Sequence, residues 1–279
     1  MRVITAAMAL SLLNACSTDD HGRKIVASIY PLAFVAETVA GPGWEVIDLT
    51  PPGVEAHDLE LTLEQRSEME EATLVFHLPP VGFQPQLERI LTSGEGDFSG
   101  LVVHVGNPRR DPHVWLSPHL MAAFPGALAN ALSSEDEEGA GGFALRSRML
   151  LSDFEALDAH YREGLGDCRF GTAIVTHEAF GYVADEYGFE QFGLSGTTPE
   201  AEPSATRLSE ARDIIEQGGA GAIFYEARGE DTKASKALAD DLGVASLPLD
   251  TLESRPPAGD YISVMKDNLE SLREGLQCR

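Results

Sequence analysis

FALRSRMLLSDFEALDAHYREGL, residues 143–165, is the stretch on which the fold turns. Leu145, Met149, Leu150, Phe154, Leu157 and Tyr161 recur in it at helical spacing, and neither Pro nor Gly interrupts it before Gly164. A single helix over these residues is about 34 Å long at 1.5 Å per residue, enough to run along a whole domain. What it joins is read from the chain on either side.

On the N-terminal side strand and helix patterns alternate. Residues 24–29 and 44–49 are β-like, 32–40 read as helix, and Thr62-Leu63-Glu64-Gln65 is a capping box that opens a helix through Glu71. Apolar, β-branched runs at 73–78 and 101–105 follow, each bounded by Gly or Pro. The Gly-rich, acidic stretch 133–142 marks the end of this body. Beyond the long helix the alternation resumes, with strands at 172–176, 189–194, 222–225 and 245–249 and helices from His177, over 204–217, 231–242 and 261–276. Such alternation predicts βαβ units around mostly parallel sheets. The fold expected is α/β: two similar lobes, 24–142 and 168–279, joined by one rigid helix over 143–167.

A chain of 279 residues, 43% apolar and 23% charged, has the composition of a globular protein large enough for two cores. Its net charge of −25 argues against nucleic acid and anionic membrane as partners, since both would be repelled. Residues 1–16 carry one Arg, an apolar run too short to span a bilayer, and Ala15 before Cys16, the pattern of an export signal. Leu13-Asn14-Ala15-Cys16 resembles the lipobox of bacterial lipoproteins, which implies a lipid anchor on Cys16 and a polar tether over 17–23. Cys168 and Cys278 are then left as an even pair in an oxidising compartment; the sequence leaves open whether they form a disulfide or stay as thiols.

Four metal-ligating side chains sit at matching places. His57 and His113 lie in loops after first-lobe strands, His177 follows 172–176 directly, and Asp250 follows 245–249. Ligands in open α/β sheets bind beyond the carboxyl ends of the strands. Two residues from each lobe converging on the cleft between them would supply three imidazoles and one carboxylate, a set suited to tetrahedral Zn(II). Glu55, near His57, is an alternative carboxylate. Any one of these residues alone would read as a surface His or a turn-forming Asp. His77 and His104 lie inside β-like runs, and His21, His119 and His160 read as tether or helix surface, so these five are set aside.

The segments Ala27-Ser28-Ile29-Tyr30-Pro31-Leu32, Leu49-Thr50-Pro51-Pro52-Gly53, His57-Asp58-Leu59-Glu60-Leu61-Thr62, Asp111-Pro112-His113-Val114-Trp115-Leu116, Thr176-His177-Glu178-Ala179-Phe180-Gly181-Tyr182 and Ile223-Phe224-Tyr225-Glu226 extend the pattern, with Tyr261 and Asn268-Leu269 in the last helix. Together they resemble the zinc/manganese solute-binding lipoproteins of bacterial ABC importers, over nearly all of the mature chain. The resemblance implies His57, His113, His177 and Asp250 as metal ligands, an ABC permease and its ATPase as partners, a monomer, no enzymatic activity, and a place in the periplasm or on the outer face of the cytoplasmic membrane. Thr251 departs from the proline usual after the last carboxylate. No long His-rich loop separates the first two histidines, so accessory capture by such a loop is not expected. A manganese carrier, a metal-containing surface adhesin and a zinc hydrolase are the alternatives. The last is disfavoured because four protein ligands close the shell that catalytic zinc keeps open.

Overall fold

The computed structural model describes residues 23–79, 82–93, 101–104, 111–195, 203–227 and 232–279. Cys16, the signal segment and all of the tether except Arg23 lie outside them. The first lobe runs β1 (Lys24–Ala27), α1 (Tyr30–Ala40), β2 (Glu45–Asp48), α2 (Leu63–Glu71), β3 (Leu74–His77), α3 (Pro85–Ser93), β4 (Leu101–His104), α4 (Pro118–Met121) and α5 (Phe124–Glu135). Helix α6 (Ala140–Gly164) then leads to β5 (Thr172–Val175), α7 (Gly181–Tyr187), β6 (Glu190–Gly193), α8 (Ala205–Glu216), β7 (Ala222–Glu226), α9 (Thr232–Leu242), β8 (Ala245–Leu249) and α10 (Tyr261–Leu276). Both sheets are parallel throughout and share one plan, β2-β1-β3-β4 in the first lobe and β6-β5-β7-β8 in the second.

The inner strands β1, β3, β5 and β7 are mostly apolar because both of their faces are covered. Alternation along them divides the interior. Ile25, Ala27, Leu74 and Phe76 of the first sheet, with Ala173, Val175, Ala222 and Phe224 of the second, point into one core that also takes in α1, α5, α6 and α10. Val26 and Val75 face away, into a smaller core with Met69, Leu87 and Ile90. Ile174 and Ile223 do the same in the second lobe, against Ala211 and Ala239. Pro248 lies in β8, at the edge of its sheet, where a missing N–H breaks no ladder.

The linking helix departs from the sequence reading in two ways. It opens at Ala140, so Gly141 and Gly142 are helical and do not lie in a loop. Its buried face is Phe143, Ser147, Leu150, Phe154, Leu157 and Tyr161, whereas Leu145 and Met149 are 53% and 61% exposed. Arg146 ties this helix to the first lobe by donating to the carbonyls of Val39 and Ala40 at the end of α1 (2.8 and 2.7 Å). Gly41 stands there with φ 69°, and a Cβ on it would come within 2.8 Å of that guanidinium. The capping box at Thr62 and Gln65 forms as read. Helices α3 and α5, in contrast, carry Pro85 and the pair Pro125-Gly126 in their first turns, residues easily taken for breaks although Pro suits a helix start. Cys168, just after α6, is joined by a disulfide to Cys278, just after α10.

Candidate metal centre

The carboxyl ends of the two sheets face each other, and the connections leaving them build one buried cluster. His57 sits in a single 3-10 turn, Ala56–Asp58, between β2 and α2, with its ring edge-on to Phe83 at 4.6 Å. His113 precedes a similar turn, Val114–Leu116, and is completely buried. His177 comes two residues after β5 and is 3% exposed. It lies before the second-lobe helix and not in it, since α7 begins only at Gly181. The ring centroids of the three imidazoles are 4.9 to 5.6 Å apart.

The carboxylate of this cluster is Glu253, not Asp250. One ligand atom each from His57, His113, His177 and Glu253 lie within 4.8 Å of one another. Asp250 is bound up in its own turn: its Oδ1 accepts the Leu252 N–H at 2.8 Å, and its main chain exchanges two hydrogen bonds with the Asn268 side chain. Leu252 then takes φ 55°, a left-handed conformation unusual for Leu, and the chain reverses so that Glu253 points inward, 3% exposed. Pattern reading places a residue after a strand but does not foresee such a turn, so Glu253 is not legible from the strand pattern. The available signal was its position, an acidic residue in the same β8–α10 connection. Glu55 is not in the cluster, although it lies near Glu253 and Glu226 on a small cleft beside it.

Geometry and donor type fit a tetrahedral ion. Oε1 of Glu253 is 3.5 Å from Nε2 of His57 and 3.6 Å from Nε2 of His113, too far for hydrogen bonds. These three atoms are buried with no hydrogen-bond partner. Zinc bonds of about 2.0–2.1 Å place tetrahedral ligand atoms about 3.3 Å apart, close to the spacing seen. Oε2 of Glu253 accepts the Ala56 N–H at 3.1 Å, so a second-lobe carboxylate is held by first-lobe backbone.

The electrostatics agree. Burial works to raise the Glu253 carboxyl, but His113 and His57 outweigh it and hold the group well below the usual carboxylate range. Burial likewise works to lower His113, yet its hydrogen bond to Asp111 and the nearby negative charge of Glu253 raise it to about 9. Oδ1 of Asp111 accepts both the His113 backbone N–H (2.9 Å) and Nδ1 of its ring (2.7 Å). With the proton fixed on Nδ1, Nε2 is left as the ligating atom. Asp111 is itself closely packed: a Cβ on Gly181 would come 2.7 Å from its Oδ2, and Tyr182 donates to its carbonyl at 3.0 Å.

Glu178, the one obvious base for a hydrolase, is bonded to Arg207 at 3.1 Å and is not part of the cluster. A second group, His119, Asp158 and Glu186, also has atoms close enough for a cation. Its carboxylates already bind Arg162, at 3.1 Å for Asp158 and more closely for Glu186. Among the described residues no helix is long and apolar enough to cross a membrane.

Known proteins resemble this chain in sequence and fold. The zinc-binding lipoprotein AdcA of Streptococcus pneumoniae serotype 4 is 30% identical over 98% of this chain, which spans 60% of that relative's length. ZnuA of the high-affinity zinc uptake system of Bacillus subtilis is 26% identical over 93% of this chain and 90% of its own. The Zn(II)-bound ZnuA-like domain of S. pneumoniae AdcA superposes with a TM-score of 0.79 at 26% identity, over 91% of this chain and 98% of that domain. Residues 25–275, both lobes and the helix between them, match the family described as ZnuA, zinc-uptake complex component A, periplasmic, and the chain belongs to that family.

Proposed function

We propose that this chain is the extracytoplasmic capture component of an ABC importer, taking one Zn(II) between its lobes through His57, His113, His177 and Glu253 and passing it to a permease driven by an ATPase. The observation that carries the reading is the cluster itself: three imidazoles and one carboxylate, drawn from both lobes and packed within 4.8 Å. The protein binds and releases; it does not turn over a substrate. A monomer suffices, because one chain supplies the whole ligand set. Lipid on Cys16 would hold it at the membrane outside the cytoplasm, and the disulfide suits that compartment.

Metal analysis of the purified protein with a chelator-competition titration tests the reading. One tightly held zinc per chain is expected, with affinity falling at least about 100-fold in His113→Ala and in Glu253→Gln. Zinc that binds equally well to both variants would overturn the site. A deletion strain that grows normally under zinc limitation would overturn the transport role.

A further inference from the structure

We infer that Glu226, with Thr251, is the positioning pair for His177: it holds a proton on Nδ1 of that ring so that Nε2 is presented to the captured ion. The inference rests on the zinc-capture reading and adds residues that are not ligands. Glu226 is the last residue of β7, adjacent to β5 in the sheet, and only 8% exposed. Its Oε2 lies 3.6 Å from Nδ1 of His177, an ion-pair contact slightly longer than a hydrogen bond. Its Oε1 accepts the hydroxyl of Thr251, and its backbone N–H donates to Thr176 Oγ1 at 3.2 Å, next to His177 in the chain. A buried carboxylate is unfavourable without such partners. Here Oε1 has the Thr251 hydroxyl, and Oε2 faces a ligand's ring at ion-pair distance.

The placement parallels that of Asp111 with His113 in the other lobe, where the carboxylate lies closer to Nδ1, at 2.7 Å against 3.6 Å. A carboxylate behind a metal-bound imidazole fixes its tautomer and raises its basicity. Thr251 gains a role in this arrangement. A proline would remove the hydroxyl that restrains Glu226. The Thr251 carbonyl also accepts Trp115 Nε1 at 2.7 Å, two residues from His113, and Glu253 lies two residues beyond. Two of the four ligand segments therefore meet at this threonine, and a third, that of His177, is reached through Glu226.

The test uses the full chain labelled with 15N-histidine and loaded with zinc. Imidazole nitrogen signals are assigned to His177 by comparison with His177→Asn, and zinc affinity is measured by chelator competition. Glu226→Gln should weaken zinc binding about 10–100-fold and shift the Nδ1 signal of His177 while leaving that of His113 in place. Thr251→Val should move both readouts the same way by less. Affinity and His177 signals that stay at wild-type values would overturn the inference while leaving zinc capture intact. Equal shifts at His113 and His177 would also overturn it, since they would report general loosening. If Glu226→Gln does not fold, Thr251→Val, which only exchanges a hydroxyl for a methyl, carries the same comparison. A wild-type chain that binds no zinc would instead overturn the capture reading.

Discussion

At the scale of single residues, the position of the carboxylate separates what pattern can reveal from what it cannot. His57, His113 and His177 are legible because each follows a strand of a parallel sheet, where ligands gather. Glu253 is hidden behind the Asp250 turn and the left-handed Leu252. Glu253→Gln should therefore cost at least about 100-fold in zinc affinity, while Asp250→Asn, which keeps the acceptor for the Leu252 N–H, should stay within about 3-fold by the same titration. Imidazole suits zinc and carboxylate suits manganese, so His177→Glu should lower zinc affinity while manganese affinity holds or rises. An unchanged ratio between the two metals would remove His177 as the selector. Asp48 offers a test away from the metal. Burial raises its carboxyl from 3.8 to about 6, although the Thr50 N–H and Arg255 pull it down, and its Oδ2 has no hydrogen-bond partner. A carboxyl that titrates higher in the folded state destabilises it once ionised: stability is greatest below the unfolded pKa and declines as pH rises through about 6. Asp48→Asn should therefore be more stable than wild type by about 2 kcal/mol at pH 7, a gap that closes near pH 4 in urea titrations at the two values.

At the scale of elements, α6 is recognisable by its length, whereas its buried face is not legible from the spacing alone. The buried positions alternate four and three residues apart from Phe143 to Tyr161, the seam of a helix packed along its whole length. Leu145 and Met149 are apolar but lie off that seam. Apolar character alone does not separate the two sets, because Ser147 is on the seam. Phe154→Ala should cost about 3–5 kcal/mol in urea unfolding, whereas Met149→Lys should stay within about 0.5 kcal/mol. A large loss from the lysine would mean that the exposed face is covered by something else. The Cys168–Cys278 bond closes a separation of 110 residues and staples the end of α10 to the segment before β5. Sequence alone could not join these cysteines, because proximity depends on how α6 and α10 pack. Since β5 runs about 13 Å from that end toward His177, Cys278→Ser should lower stability by about 2–4 kcal/mol and leave zinc affinity within about 2-fold. An equal fall in affinity would show that the staple reaches the site.

At the scale of the whole molecule, the repeated strand order puts the carboxyl ends of two sheets opposite each other, and the cluster of three histidines and Glu253 belongs to the gap between them. The duplication was legible as two runs of strand–helix alternation; the order of strands was not, because pairing is settled by how helices cross the sheet. The gap is bridged by Ala56 on Glu253, Trp115 on Thr251 and Tyr182 on Asp111, and α6 offers no pair of loose strands to act as a hinge. Scattering profiles with and without zinc should therefore nearly coincide, and a compaction of several ångströms in radius of gyration would contradict this account. The central core has a further consequence. Phe76 from the first sheet, Phe154 from the linking helix and Phe224 from the second sheet belong to one apolar cluster. Neither half of the chain can be cut out without baring its share of that cluster to water, so fragments ending or starting near residue 139 should aggregate separately yet reassemble when expressed together. The polypeptide is duplicated in plan but indivisible in substance, and a protease that nicks one lobe open would free the ion along with the fold.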